Sequence, residues 1–199
     1  MLEEIKDGSL LIIRYSWPMI VLSIIIAMCF RITYLVHNKE KFSLYEELFK
    51  LSFIIYILCL FHAVTYQDVS WSTANFIPFK EIFRYDIGSS LFIKNILGNM
   101  IMFIPMGIFI KKYLKLDNKK IVILLLFIIS MTIEVIQLII GRVYDIDDVL
   151  LNIIGGFVGF LLADSFNKIS SKSKILNNNI VLNILAILLL GGVICFLFI

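Results

Sequence analysis

Charge, histidine, proline and cysteine are all scarce in this chain. Of its 199 residues only 17% are Asp, Glu, Lys or Arg, two are histidine, three are proline and three are cysteine. A soluble domain with so little charge could not cover its apolar surface. His37 and His62 are the only histidines, and no Ser–His pairing or nucleophile elbow accompanies them, which counts against nucleophilic hydrolysis. His62, at the outer end of an apolar run, is expected to be a solvated interfacial residue. Cys29, Cys59 and Cys195 lie within apolar runs without Cys-x-x-Cys spacing, so they read as buried small apolar residues and not as metal ligands or disulfides. The net charge of +3 is small and the basic residues sit in short loops instead of a stripe, which excludes nucleic acid as a partner. The early acids Glu3, Glu4 and Asp7, with no small-residue pattern after the first apolar run, do not read as a cleavable signal.

Apolar residues are what the chain has in excess: 60% of it is hydrophobic and the mean hydropathy is +0.97. Both values mark an integral membrane protein. Six spans can be drawn near the ~20 residues needed to cross hydrocarbon: Tyr15–Val36, Leu48–Tyr66, Leu91–Ile110, Ile121–Ile140, Val149–Ala163 and Ile180–Phe198. No ten-residue alternation suggests a barrel, so the fold class is an all-α polytopic bundle of about six transmembrane helices. Eleven of the eighteen basic residues fall in one set of loops (Lys39–Lys50, Lys111–Lys120 and Lys168–Lys174) and six in the opposite set, with Arg31 near the first set. The positive-inside rule makes the first set cytoplasmic and both termini extracytoplasmic. Abundant isoleucine, lysine and asparagine point to an AT-rich bacterial genome, hence to a bacterial plasma membrane.

The polar residues inside these spans are few and patterned. Ser130, Glu134, Gln137 and Gly141 step by four, three and four along the fourth span, so they share one stripe. An acid at a helix centre costs on the order of 3 kcal/mol to insert, which makes Glu134 a functional-site candidate by default. Asn95 and Asn99 share a face of the third span, where Pro105 is expected to kink the helix and Gly107 to admit a close neighbour. The fifth span opens at Asp145, Asp147 and Asp148 and continues with Asn152, Gly155 and Gly159. Aspartates there can cap free N–H groups and complement the helix dipole. Asn95, Asn99, Glu134, Gln137, Asp145, Asp148 and Asn152 would converge in the outer third of three spans, flanked by Arg142. The outer loop, with Trp71, Phe76, Phe79, Phe83 and Tyr85 among charges, suits an interfacial belt or a lid, with Phe79, Ile82 and Phe83 on one helical face. Asp145 and Asp148 offer oxygen ligands to a divalent cation, although no EF-hand loop surrounds them. No other cofactor is expected.

Three elements resemble the VanZ-like family of membrane proteins, named for a teicoplanin-resistance protein. Asn75-Phe-Ile-Pro78-Phe79 resembles its outer-loop motif, and Asn99-x3-Phe103-x-Pro105-x-Gly107 its third-span motif. Ser130-x3-Glu134-x2-Gln137, then Arg142-x2-Asp145-x2-Asp148-x3-Asn152-x2-Gly155, resembles its longest signature. The resemblance implies a two-helix N-terminal segment over residues 1–66 and a VanZ-like domain over 67–199. It implies low-level resistance to teicoplanin-type lipoglycopeptides without enzymatic rebuilding of peptidoglycan precursors. On this reading Asn75, Asn95, Asn99, Gln137, Arg142, Asp145, Asp148 and Asn152 bind a membrane lipid, a lipid-linked precursor or the drug's anchor, with Glu134 at their centre. Two alternatives stay open. One is an enzyme acting on a lipid-linked envelope substrate with Glu134 as general acid or base; the other is a small lipid transporter.

Overall fold

The fold is seen in a computed structural model, which describes residues 2–65, 74–84, 86, 88–89 and 92–195, with the side chains of 2–17, 20, 94 and 195 excepted. Six α-helices lie among the described residues: α1 (Leu2–Asn38), α2 (Leu44–Thr65), α3 (Gly98–Phe109), α4 (Lys119–Ile139), α5 (Ile146–Ser170) and α6 (Asn179–Cys195). Five stretches are long and apolar enough to span a membrane, and α6 is a shorter apolar helix. The chain is therefore an all-α, multi-pass membrane protein. Trp71 and Tyr85 of the expected aromatic loop lie outside the described residues.

The chain divides into two units, one comprising residues 1–62 and 173–199, the other 63–172. In the first, α1 runs through Pro18 and stops at a left-handed Lys39 (φ 53°). There the Lys39 and Glu40 N–H groups return to the Val36 and Leu35 carbonyls, a Schellman closure. Arg31 then grips Glu47 at the start of α2 through two bonds of 2.8 Å, and Lys50 meets the same carboxylate at 3.0 Å. The lysine that interrupts the second apolar run is thus neutralised by its own helix. Cys59 is buried as expected, whereas Cys29 is exposed on α1. His62 is only 8% exposed, so it is a buried histidine and not a solvated one.

The second unit holds α3, α4 and α5. Its tightest seam is α3 against α5, and glycine is the reason. A Cβ at Gly155 would strike the Met100 carbonyl, one at Gly159 the Ile104 carbonyl, and one at Gly107 the Gly156 carbonyl. Backbone lies on backbone across this seam, as small-residue ladders permit in membranes. Phe103, Leu126, Val149 and Phe160 fill the buried centre. A π-helical turn flanks α3 on each side, Ile93–Leu97 and Ile110–Leu114, so its irregular turns stand at the ends while Pro105 sits within regular α-helix.

Two helix ends place the site. α4 closes at Gly141 (φ 87°), with Gly141 N–H on Leu138 O and Arg142 N–H on Gln137 O, which turns the chain back on itself. α5 begins three residues earlier than hydropathy suggests and continues to Ser170, because Asp145 caps it by accepting from Asp147 N–H at 2.9 Å. Charged residues depress hydropathy at both ends of a helix without ending it.

Candidate functional site

Glu134 is 2% exposed, and its surroundings are specific. Its Oε2 accepts the backbone N–H of Asp145 at 3.1 Å. With the Gln137 amide oriented to satisfy both of its ends, its nitrogen donates to Glu134 Oε1 at 3.0 Å and its oxygen accepts from Arg142. Arg142 also donates to the Val64 carbonyl at 2.9 Å, tying the start of the turn to the end of α2. Burial lowers the affinity of the Arg142 guanidinium for its proton, opposed by the charges of Glu134 and Asp148.

The turn and the preceding loop meet in a short parallel bridge between Asn75 and Asp145, seventy positions apart. Asn75 N–H donates to the Tyr144 carbonyl at 2.8 Å and Ile146 N–H donates to the Asn75 carbonyl at 3.1 Å. The Asn75 side chain donates to Asp145 Oδ1 at 2.8 Å and accepts from Ile77 N–H at 3.2 Å. Burial pushes the Asp145 carboxyl above its ordinary range, against the bonds from Asp147 and Asn75 that favour its charge. Phe76 stacks on Tyr144 with ring centres 5.1 Å apart.

Asp147 was read from the sequence only as a helix-end acid, yet it organises the loop. It is 1% exposed, and its carboxylate accepts from the Phe79, Glu81 and Ile82 N–H groups. The loop it holds is not the short helix expected from its aromatic spacing. Phe79 stands in left-handed backbone (φ 66°), and only Ile82–Arg84 forms a 3-10 turn. No sequence pattern announces this role, because the partners of Asp147 are backbone N–H groups seventy positions away or nearly so.

Deeper in the bundle, the Asn99 amide donates to Asp148, joining α3 to α5, and the Asn152 amide donates to Ser130 Oγ at 3.0 Å, joining α5 to α4. Asn152 is 2% exposed and its Oδ1 has no hydrogen-bond partner. Asn75, Asn99, Glu134, Gln137, Arg142, Asp145, Asp148 and Asn152 therefore gather at one end of the 63–172 unit. Asn95 is the exception: it is half-buried on the π turn before α3, and no described hydrogen bond joins it to the others. Asp145 and Asp148 approach this end together, but among the described residues no three His, Cys, Asp or Glu side chains gather as a metal group. The assembly can hold carboxylate charge below the end of a membrane span and offer acceptors to a polar visitor.

Fold and site thus define a polytopic membrane protein whose polar side chains are concentrated at one end of a glycine-packed bundle. Residues 48–167 match the family model described as VanZ/LLP1. This covers more than half of the chain, which belongs to the VanZ/LLP1 family. No curated protein and no solved structure matches it.

Proposed function

We propose that this protein works at the outer leaflet of the bacterial plasma membrane. There its polar end engages the polar group of a membrane lipid, a lipid-linked peptidoglycan precursor or the anchor of a lipoglycopeptide, and so lowers susceptibility to teicoplanin-type drugs. The observation that carries this reading is Glu134. A carboxylate 2% exposed within a spanning helix is retained against a steep insertion cost, and its oxygens meet a backbone N–H and an amide. Asn75, Asn99, Gln137, Arg142, Asp145, Asp148 and Asn152 surround it as further donors and acceptors. The orientation follows from the lysines at the opposite end of α3, α4 and α5, which the positive-inside rule makes cytoplasmic. With six crossings both termini are extracytoplasmic.

The test is expression of wild type and Glu134→Gln at matched levels in a susceptible Gram-positive host, with teicoplanin and vancomycin susceptibility measured for each. We expect wild type to raise tolerance to teicoplanin and not to vancomycin, and Glu134→Gln to abolish the rise. Equal tolerance in mutant and wild type removes Glu134 from the site. An equal rise for both drugs removes the lipid anchor from the mechanism.

A further inference from the structure

The loop over residues 75–84 carries an exposed apolar surface, and the protein itself satisfies most of its backbone N–H groups. Phe76, Ile77, Phe79 and Phe83 are all exposed, Phe83 at 83%. Eight of its nine N–H groups, those of Asn75, Ile77, Phe79, Lys80, Glu81, Ile82, Phe83 and Arg84, have a partner within the protein, and only that of Phe76 has no described one. Pro78 has none to satisfy. In water a surface loop has no need of so many internal acceptors, because water satisfies its donors. In hydrocarbon every unsatisfied group costs several kcal/mol, so irregular backbone survives there only when protein supplies the partners.

The depth of the loop can be read from α4. Its side chains lean toward its N-terminus, so the Glu134 carboxylate lies level with its own Cα or further from the Gly141 end. Asp145 N–H bonds that carboxylate, which sets Asp145 near the same level. Asn75 pairs with Asp145, and Asp147, two residues on, holds Phe79, Glu81 and Ile82. Meanwhile α4 continues past Glu134 for five residues, about 7.5 Å at 1.5 Å per residue. Those residues include the exposed Val135, Ile136, Leu138 and Ile139, the last at 77%. The apolar, outward-facing surface of α4 therefore extends beyond the level at which the loop is clamped.

We infer that residues 75–84 form a re-entrant loop seated within the acyl-chain region of the leaflet at this end, with Phe76, Ile77, Phe79 and Phe83 in contact with lipid tails. Asn75, Asp145 and Asp147 supply the donors and acceptors that water would otherwise provide. Lys80 fits the same placement, since its long stem lets the charged head reach the headgroup layer while the backbone stays below it, and Glu81 is paired with Arg84 at 3.0 Å. The occupant of the exposed surface is thus the acyl chain of a bilayer lipid, and not water, a second copy of the chain or a folded lid over the site.

The test is a depth measurement on the full-length protein, with Cys29, Cys59 and Cys195 changed to alanine. Single nitroxide labels are placed by Ile77→Cys, Phe83→Cys, Ile139→Cys and Lys115→Cys, in vesicles of palmitoyl-oleoyl phosphatidylglycerol. All four positions are exposed, so the buried network is left intact. Relaxation by molecular oxygen, which concentrates in hydrocarbon, is compared with relaxation by a water-soluble nickel chelate. Labels at 77 and 83 are expected to respond more to oxygen than to nickel, as at 139 and opposite to 115. A nickel-dominated response at 77 and 83 overturns the inference and puts the loop in water. Shielding from both agents overturns it equally, since protein would then cover the surface.

Discussion

The two ends of the 63–172 unit handle acids in opposite ways. At the lysine-rich end, Asp164 is met by Lys111 at 2.7 Å and Lys168 at 2.7 Å, and Asp117 is met by Lys111 at 2.6 Å. Lys111 also lies 5.3 Å from the centre of the Phe160 ring. Both acids there meet a lysine, with Lys111 shared between them. At the other end the carboxylates of Glu134, Asp145, Asp147 and Asp148 are met mainly by backbone and amide N–H groups, with Arg142 placed among them through Gln137. Acids are ion-paired at one end and held chiefly by N–H dipoles at the other, with Arg142 reaching them through Gln137. A carboxyl held by dipoles keeps room for a further partner, which is why the proposed function is placed at that end.

The sharpest way to break that contrast is Asp147→Ala. It strips the acceptor from three backbone donors at once, and each buried donor left unsatisfied costs about 1–3 kcal/mol. We expect the largest loss of stability of any single change discussed here, read as the drop in unfolding temperature of the detergent-solubilised protein. A loss no greater than that of a lysine-end variant would mean that dipoles do not hold this end. Next in size is Glu134→Ala, which leaves the Asp145 N–H and the Gln137 amide unpaired at about 1–3 kcal/mol each. Glu134→Gln keeps an acceptor for the Asp145 N–H but turns its own amide nitrogen toward the Gln137 donor, so it should lose less than Glu134→Ala in the same assay. Equal losses for the two would show that the charge, and not the acceptor, holds the turn.

Much of this arrangement was legible in the sequence, and the part that was not has a common cause. The stripe Ser130–Glu134–Gln137 follows from helical periodicity, and its three side chains are buried together. The close seams at Gly107, Gly155 and Gly159 follow from residue size. What periodicity cannot give is pairing across seventy residues, so the Asn75–Asp145 bridge was invisible. So was the role of Asp147, because its partners are N–H groups that no sequence displays. The same blindness produced one misreading of local form. Phe79 was placed on a helical face because aromatic spacing fits one, but the Asp147 carboxylate draws its N–H into a left-handed turn. Helical rules fail where hydrogen bonds leave the helix, and in this unit that happens next to the site.

The lysine end gives smaller and more conditional effects. Lys111→Met leaves Asp164 with Lys168 and leaves Asp117, which is 90% exposed, to water. The expected loss is on the order of 1 kcal/mol, since one partner is buried and the other is screened. It should shrink as salt rises, because the Debye length falls from about 10 Å at 0.1 M to about 3 Å at 1 M. The corresponding losses for Asp147→Ala and Glu134→Ala should hardly change with salt, because their partners are neutral dipoles in a dry setting. A salt titration of unfolding temperatures therefore separates the two ends more cleanly than the magnitudes do.

Lys168→Ala is expected to have the least effect of all. Its side chain is 74% exposed, and Asp164 keeps the buried Lys111 when it goes. An exposed pair four residues apart on a helix contributes about 0.3–0.5 kcal/mol. The change also removes positive charge from the last turn of α5, where it complements the helix dipole. Both effects lie at the surface, so teicoplanin tolerance in the host should match wild type and the unfolding temperature should barely move. A marked loss of tolerance at unchanged protein level would place function at the lysine end and reverse the assignment of roles drawn from the two sets of carboxylates.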